Sequence, residues 1–419
     1  MASVTRLPQP DWRDRLQLNA SGTVKANLFN ICMALRHANE FRGAIRWNDM
    51  ALRSDVLQPL PWSDQTDREW SPHDDNKLNE WLQIQSIDAK IQTVCQAVET
   101  VAHEQNYHPV RDWLETLKWD GHKRVDTWLT YYLGADDTPY NRAVGKAWLV
   151  SAVARIMRPG CKADHLLILE GVQGLKKSSA LKALAGERFF TDELAAVHSK
   201  DASEQLRGVW IIELAELDAH LKRAREAAEV KNFLSRTVDR YRPAYGRRVI
   251  EAPRECVFCG SVNQDEYLGD ETGNRRFWPV RCGSAIDVAA IRNDRAQIWA
   301  EALKEYRDGA LWWLDDHDLQ EDARREQASR LEVDSWDDLV LDFAAKSMFT
   351  PTTRELLCDG VGLRASEIKK TDEIRIAKIM KSASYKRDTG RGERNRMKVW
   401  WPLGSEKNPK KTTFGSETA

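Results

Sequence analysis

The chain has 419 residues, 63 Lys and Arg against 64 Asp and Glu, a formal net charge of −1, 42% hydrophobic residues and 30% charged ones. Those proportions describe a globular chain of roughly two to four domains with material for a large core, and they exclude a disordered or collagen-like one. No apolar run is long enough to span a bilayer and MASVTRLPQPDWRD lacks a hydrophobic signal region, so a cytoplasmic protein without membrane partners is expected.

Residues 1 to about 22 are polar, contain prolines and are expected to be loosely held. From Lys25 onward Leu28, Ile31, Cys32 and Leu35 fall on one helical face. Phe41, Ile45 and Trp47 alternate along FRGAIRWNDMAL, which reads as a hairpin or an extended segment. Helices are expected from Asp75 to Gln85, from Ile87 to Tyr107 and, opened by Pro109, from Val110 to Leu117. Nothing in residues 1–110 forms a chemical constellation, and an accessory, mainly helical domain is expected there.

Trp119-Asp120-Gly121 is a turn, and Asn141 to Met157 carries Val144, Trp148, Leu149, Ala152, Val153 and Ile156 at helical spacing until Pro159-Gly160 stops it. A short apolar run, Leu166–Leu169, then leads into Gly171-Val-Gln-Gly174-Leu-Lys-Lys177-Ser178 and a helix pattern ending at Gly186. Strand, glycine loop and helix in that order form a phosphate cradle, because glycines let backbone N–H groups turn inward and the new helix presents its positive dipole end. In register with G-x-x-x-x-G-K-[ST], Gly171, Gln173, Gly174, Lys176, Lys177, Ser178 and Ser179 are the expected ATP contacts, with Lys177 on the β/γ-phosphates and Ser178 on Mg²⁺. Lys176 stands where the pattern has glycine, so any special torsion there costs more than it would for glycine. The plain alternative is a strand–turn–helix with a basic surface turn.

Past Gly186 a short strand and turn at Phe189–Asp192 and a polar helix near Ser199–Leu206 are expected. Gly208-Val-Trp-Ile-Ile-Glu213-Leu-Ala-Glu216-Leu-Asp218 is an apolar strand ending in carboxylates, suited to holding Mg²⁺ through water and polarising an attacking water. Glu213 and Glu216 are the candidates, their two roles unassigned, and a solvated acidic helix start is the alternative. After a helix over Arg225–Arg236, DRYRPAYGRR suggests a hairpin whose Arg242, Tyr245, Arg247 and Arg248 meet a nucleic-acid backbone, or one that is merely solvated. Cys256 and Cys259 form a C-x-x-C inside an apolar run without a second ligand pair, so buried strand residues are expected rather than a zinc site. The seven cysteines are scattered, as reduced thiols are. Asn263 ends that run, where an amide can orient water or read a γ-phosphate. Arg275 and Arg276 precede the next strand and suit a finger acting on a neighbouring subunit's nucleotide; salt bridges or DNA phosphate contacts are the alternatives.

A helix over Val288–Tyr306 follows, and Trp312–Leu314 leads to an acidic stretch with Arg324 and Arg325. Helices at Trp336–Met348, Arg354–Leu357 and Ser366–Lys381 and a basic hairpin from Tyr385 to Trp401 give the order of a winged helix over 333–402. Gly362 to Pro402 holds twelve Lys and Arg against five Asp and Glu, so duplex DNA contacts are expected from Lys369, Lys370 and Arg375 on the helix and Arg391, Arg394 and Arg396 on the wing. Residues 403–419 read as a disordered tail. The seventeen tryptophans, several at apparent domain edges, are taken as packing residues.

The order of these signals is more specific than any one of them: phosphate loop, acidic strand about forty residues on, basic hairpin, Asn-terminated strand, then arginines. With Trp119-Asp120-Gly121, EGVQGLKKSSALKALAG, DRYRPAYGRR, PRECVFCGSVNQDEYLGD and TGNRRFWPV, the chain resembles the virulence-associated E family of phage, prophage and phage-satellite replication proteins, over roughly 110–330. The resemblance implies an α/β, AAA+-like P-loop NTPase core of the superfamily 3 helicase type between the helical domain and the winged helix. It implies an ATP- and Mg²⁺-dependent motor, a hexameric ring on single- and double-stranded DNA working beside host or phage replication proteins. Glu213, Glu216, Asn263, Arg275 and Arg276 then fall on the catalytic positions. An origin-binding initiator, or an NTPase kept for assembly, would share the same motifs. No acidic primase constellation is visible in residues 1–110, so primase activity is not expected.

Overall fold

The computed structural model describes residues 11–195, 197, 199–215, 217, 221, 224–242, 249–263, 266–268, 273–331, 334–389 and 397–403. The chain divides into two units, Met1–Asp265 with Gly273–Gln327 and Glu266–Thr272 with Ala328–Ala419. In the first unit Asn27, whose side chain accepts from the Asn30 N–H, starts α1 (Leu28–His37) a few residues later than the apolar spacing alone suggests. The alternating segment is a hairpin: β1 (Ile45–Asn48) pairs antiparallel with β2 (Arg53–Val56), and β2 with β3 (Arg68–Glu69). A Ser71/Asp74 capping box begins α2 (Pro72–Ile84). The helix expected from Ile87 to Tyr107 is shorter, α3 (Ile91–Ala102), because Asn106 and Tyr107 form β4 and pair parallel with Trp47 and Asn48 of β1. Residues 1–110 therefore add a small four-stranded sheet, β3-β2-β1-β4, to the expected helices. Strands of two residues are too short to show a period of two in sequence.

The chain continues with α4 (Pro109–Thr116), α5 (Trp128–Leu133), α6 (Pro139–Met157), β5 (Leu166–Glu170), α7 (Lys177–Ala185), β6 (Phe190–Thr191), α8 (Lys200–Gln205) and β7 (Ile211–Leu214). Then come α9 (Ala224–Leu234), the antiparallel pair β8 (Val238–Tyr241) and β9 (Ile250–Pro253), β10 (Val257–Val262), β11 (Phe277–Arg281), α10 (Val288–Arg307) and α11 (His317–Ala328). Five strands form one sheet in the order β11-β5-β10-β7-β6, every neighbouring pair parallel. Every residue of β5 and β7 is buried, the signature of a parallel sheet covered on both faces. Helix α6, amphipathic by spacing, is buried along nearly its whole length. Tryptophans lock helices to strands and to one another: the Trp148 indole N–H donates to Phe258 O at 2.9 Å, Trp210 to Ala152 O at 3.0 Å and Trp299 to Leu184 O at 2.8 Å. Each buries a large ring while satisfying its one polar atom.

Residues 1–110 and the five-stranded sheet share one unit, tied through a fully buried carboxylate. Asp55 accepts from Tyr107 Oη at 2.6 Å, from Asn48 Nδ2 at 2.8 Å and from the Arg188 guanidinium, just past α7, at 2.8 Å.

The second unit contains α12 (Asp337–Lys346), a short helical stretch Thr353–Glu355 continued by a wide turn Leu356–Gly360, α13 (Lys370–Ser382), and β12 (Tyr385–Thr389) antiparallel to β13 (Lys398–Pro402). Its own core is Val340, Leu356, Leu357, Ile376, Ile379, Met380 and Trp400. Helix α13 starts four residues later than the expected Ser366, where Lys369 N–H donates to the Asp372 carboxylate at 2.8 Å. The expected tail beyond Leu403 lies outside the described residues. Among the described residues no helix is long and apolar enough to cross a membrane.

Candidate nucleotide site

At the carboxyl end of β5 the backbone turns through Gly171 (φ 151°), Gly174 (φ 83°) and Lys176 (φ 69°, ψ 27°) before α7 begins at Lys177. The φ of Gly171 is one that L side chains rarely adopt, so the turn out of β5 favours glycine there. Lys176 occupies the left-handed region in which a side chain costs about 1 kcal/mol or more. The substitution of lysine for the pattern's glycine thus stores strain at the mouth of the helix. Lys176→Gly should raise stability by roughly 0.5–1 kcal/mol, the relieved torsion exceeding the added freedom of the unfolded chain. Thermal melting of the two proteins checks this, and a lower midpoint in the glycine variant would contradict it.

Lys177 is 7% exposed, and its ammonium donates to Gly171 O at 2.5 Å, to Val172 O at 3.2 Å and to Asn263 Oδ1 at 3.0 Å. Burial pushes its pKa down, while Cys282 and Glu213 pull the other way. Asn263 follows β10 directly, next to β5 in the sheet, which brings the two ends together. On the other side of β10, Glu213 in β7 is fully buried and accepts from Ser178 Oγ at 2.9 Å. Burial raises the Glu213 pKa, opposed by the Ser261 and Ser178 hydroxyls. Lys177, Ser178, Glu213 and Asn263 therefore converge on one edge of the sheet. Among the described residues Glu213 Oε2 is buried without a hydrogen-bond partner. A carboxylate oxygen with spare acceptor capacity beside a helix-start hydroxyl fits a hydrated divalent cation. Gln173 and Ser179 lie exposed on the loop and the first turn of α7.

A group whose folded pKa is raised stabilises the fold below that pKa and loses the contribution as pH rises through it. Glu213→Gln removes this titration, so its stability should fall less than that of the parent as pH rises past the ordinary glutamate range. Unfolding midpoints measured across pH test this. Parallel pH profiles would place the buried charge elsewhere.

Other expected site residues lie apart. Arg275 and Arg276 sit in a turn at the amino end of β11, whose Phe277 pairs with Leu166, whereas the glycine loop leaves the far end of β5. They do not join Lys177 in the same chain. Arg275 is exposed, while Arg276 Nε donates to Ser235 Oγ at 3.0 Å and lies 3.4 Å from the Asp164 carboxylate. Arg242 is exposed at the end of β8. Glu216, Tyr245, Arg247, Arg248, Arg391, Arg394 and Arg396 lie outside the described residues.

In the second unit Lys369 and Lys370 are exposed, Lys370 at 3.3 Å from Glu373. Arg375, expected on DNA, is engaged internally instead. It pairs with both Asp334 oxygens, donates to Ser335 Oγ at 2.8 Å and lies 3.8 Å over the Trp336 ring. Two of its three guanidinium nitrogens are thereby held within the unit. Lys386 and Arg387, exposed on β12, are cations whose place on the hairpin only the strand register reveals.

A family model described as the virulence-associated protein E-like domain matches residues 114–332. No curated protein sequence matches the chain. Among solved structures, the apo structure of the NrS-1 C-terminal region is similar with a TM-score of 0.50 at 12% identity, over 85% of this chain and 95% of that one. The A form of that region gives 0.48 at 11% identity, over 86% and 96%. At such identity the likeness is one of fold.

Proposed function

Because the chain belongs to the virulence-associated protein E-like family, we propose that it is an ATP-hydrolysing DNA motor of the superfamily 3 helicase type. Its setting would be the replication of a phage, prophage or phage satellite, and it would act as a ring, a hexamer by family resemblance. The observation that carries this reading is the meeting of Lys177, Ser178, Glu213 and Asn263 at one strand edge, with hydrogen-bond distances of 2.9–3.0 Å linking them in pairs. The Lys177 ammonium, resting on loop carbonyls and Asn263, would turn to the β/γ-phosphates. Ser178 and Glu213 would hold Mg²⁺, directly or through water, and the ion would neutralise phosphate charge. Asn263 and Glu213 would orient the attacking water, with Glu213 as the group that accepts its proton. Arg275 would act on a neighbour's nucleotide, a role its exposed place at the opposite sheet edge supports better than the paired Arg276.

The helices and hairpin of the second unit would form a winged helix on duplex DNA, with Lys369, Lys370, Lys386 and Arg387 as phosphate contacts. Purified protein should turn over ATP only with Mg²⁺, and single-stranded DNA should accelerate it several-fold. Measured turnover with and without the strand tests this. No hydrolysis under either condition would remove the motor reading.

A further inference from the structure

At the sheet edge opposite the phosphate loop lies a second cavity, of about 670 Å³. Its rim carries Arg158, Lys162, Arg275 and Arg324, and its wall includes Trp312 and Trp313. All four cations are exposed, and among the described residues none of them has an ion-pair partner. Asp164 also lines the hollow but lies 3.4 Å from Arg276, so the four rim cations leave the hollow net positive and attractive to anions. The walls are aromatic. Trp313 is 41% exposed and lies edge-on to Trp312 at 5.3 Å, and Trp312 is anchored by its indole N–H on Lys162 O at 2.8 Å. Deeper, His165 stacks on Trp278 at 4.1 Å and 11°, and its buried Nδ1 has no hydrogen-bond partner among the described residues. Burial pushes the His165 imidazole down to about 4, so at neutral pH it is an uncharged ring with an unmet polar atom.

We propose that this cavity binds a nucleoside phosphate, the base against the tryptophans and the phosphate among Arg158, Lys162 and Arg324. Aromatic faces with guanidinium and ammonium groups at the rim recognise that pairing of a flat ring and an anion. The volume lies in the range of small-ligand pockets. The site is separate from the glycine loop of the same chain, because it lies at the amino end of β5 and the loop at its carboxyl end, with the fully buried strand between them. The ligand is either a free nucleotide or one nucleotide of a single strand, since both offer the same base and phosphate.

Photocrosslinking of the full chain with 8-azido-ATP, and in parallel with a short single strand carrying 5-iododeoxyuridine, separates the two sources when labelled peptides are mapped. One probe should label the segment holding Trp312 and Trp313. That label should persist in Lys177→Ala and fall about tenfold in Arg324→Glu and in Lys162→Glu, each replacing one charge-assisted phosphate contact with a repulsive one. Label from the azido nucleotide identifies a free nucleotide; label from the strand alone identifies nucleic acid. Absence of label there from both probes overturns the proposal. So does label that vanishes in Lys177→Ala, because it would belong to a nucleotide held by a neighbouring subunit's phosphate loop. Lys162 and Arg324 are exposed, so melting curves of the variants should match the parent.

Discussion

Lys177→Ala should lower Mg²⁺-dependent ATP hydrolysis by about 10²–10³-fold, the cost of removing one preorganised cation from the charge that develops on the phosphates. The thermal unfolding midpoint should change little. The ammonium rests on two loop carbonyls and Asn263 Oδ1, and it bridges no other elements of the core. Once it is gone, water can satisfy those acceptors, because the loop is open to solvent: Val172 is 71% exposed. Turnover and melting on the same preparation decide the matter. Unchanged turnover would show that the loop register is wrong, whereas loss of both turnover and fold would show that Lys177 is a structural residue.

The largest stability effect is expected at Asp239→Ala. Asp239 and Arg254 form a buried pair at the base of the β8–β9 hairpin, with side chains 3% and 1% exposed and Arg254 Nε donating to Asp239 Oδ2 at 2.6 Å. A second guanidinium N–H donates to Oδ1 at 3.0 Å and a third to Phe233 O at the end of α9, while the guanidinium lies 4.4 Å over the Phe233 ring. Removing the carboxylate leaves a buried, unpaired guanidinium, at a cost of about 3–5 kcal/mol. The unfolding midpoint should drop by roughly 10 °C. Because the pair holds the base of the basic hairpin, any stimulation of ATPase activity by DNA should weaken even where the protein remains folded. A midpoint within two or three degrees of the parent would mean that the pair adds nothing beyond what apolar neighbours supply.

What the sequence determined by itself is local. Leu166–Leu169, the two glycines and Lys177-Ser178 dictate strand, turn and helix within about twenty residues, because apolar runs, left-handed torsions and helix starts are short-range effects. The alternation in FRGAIRWNDMAL, read as a hairpin or an extended segment, and the helix–hairpin order of the second unit were legible for the same reason. Tertiary structure decided the rest. Strand order β11-β5-β10-β7-β6 does not follow the chain, so only the fold sets Glu213 against Ser178 and Asn263 against Lys177. Parallel pairing likewise sends Arg275 and Arg276 to the opposite edge from the glycine loop, although motif order places them in the same series. Arg375 counts as a free cation in any tally of charge until Asp334, forty-one positions away, closes on it. The two-residue strands β3 and β4 take their conformation from neighbours in the sheet, since segments that short have no periodicity of their own to express.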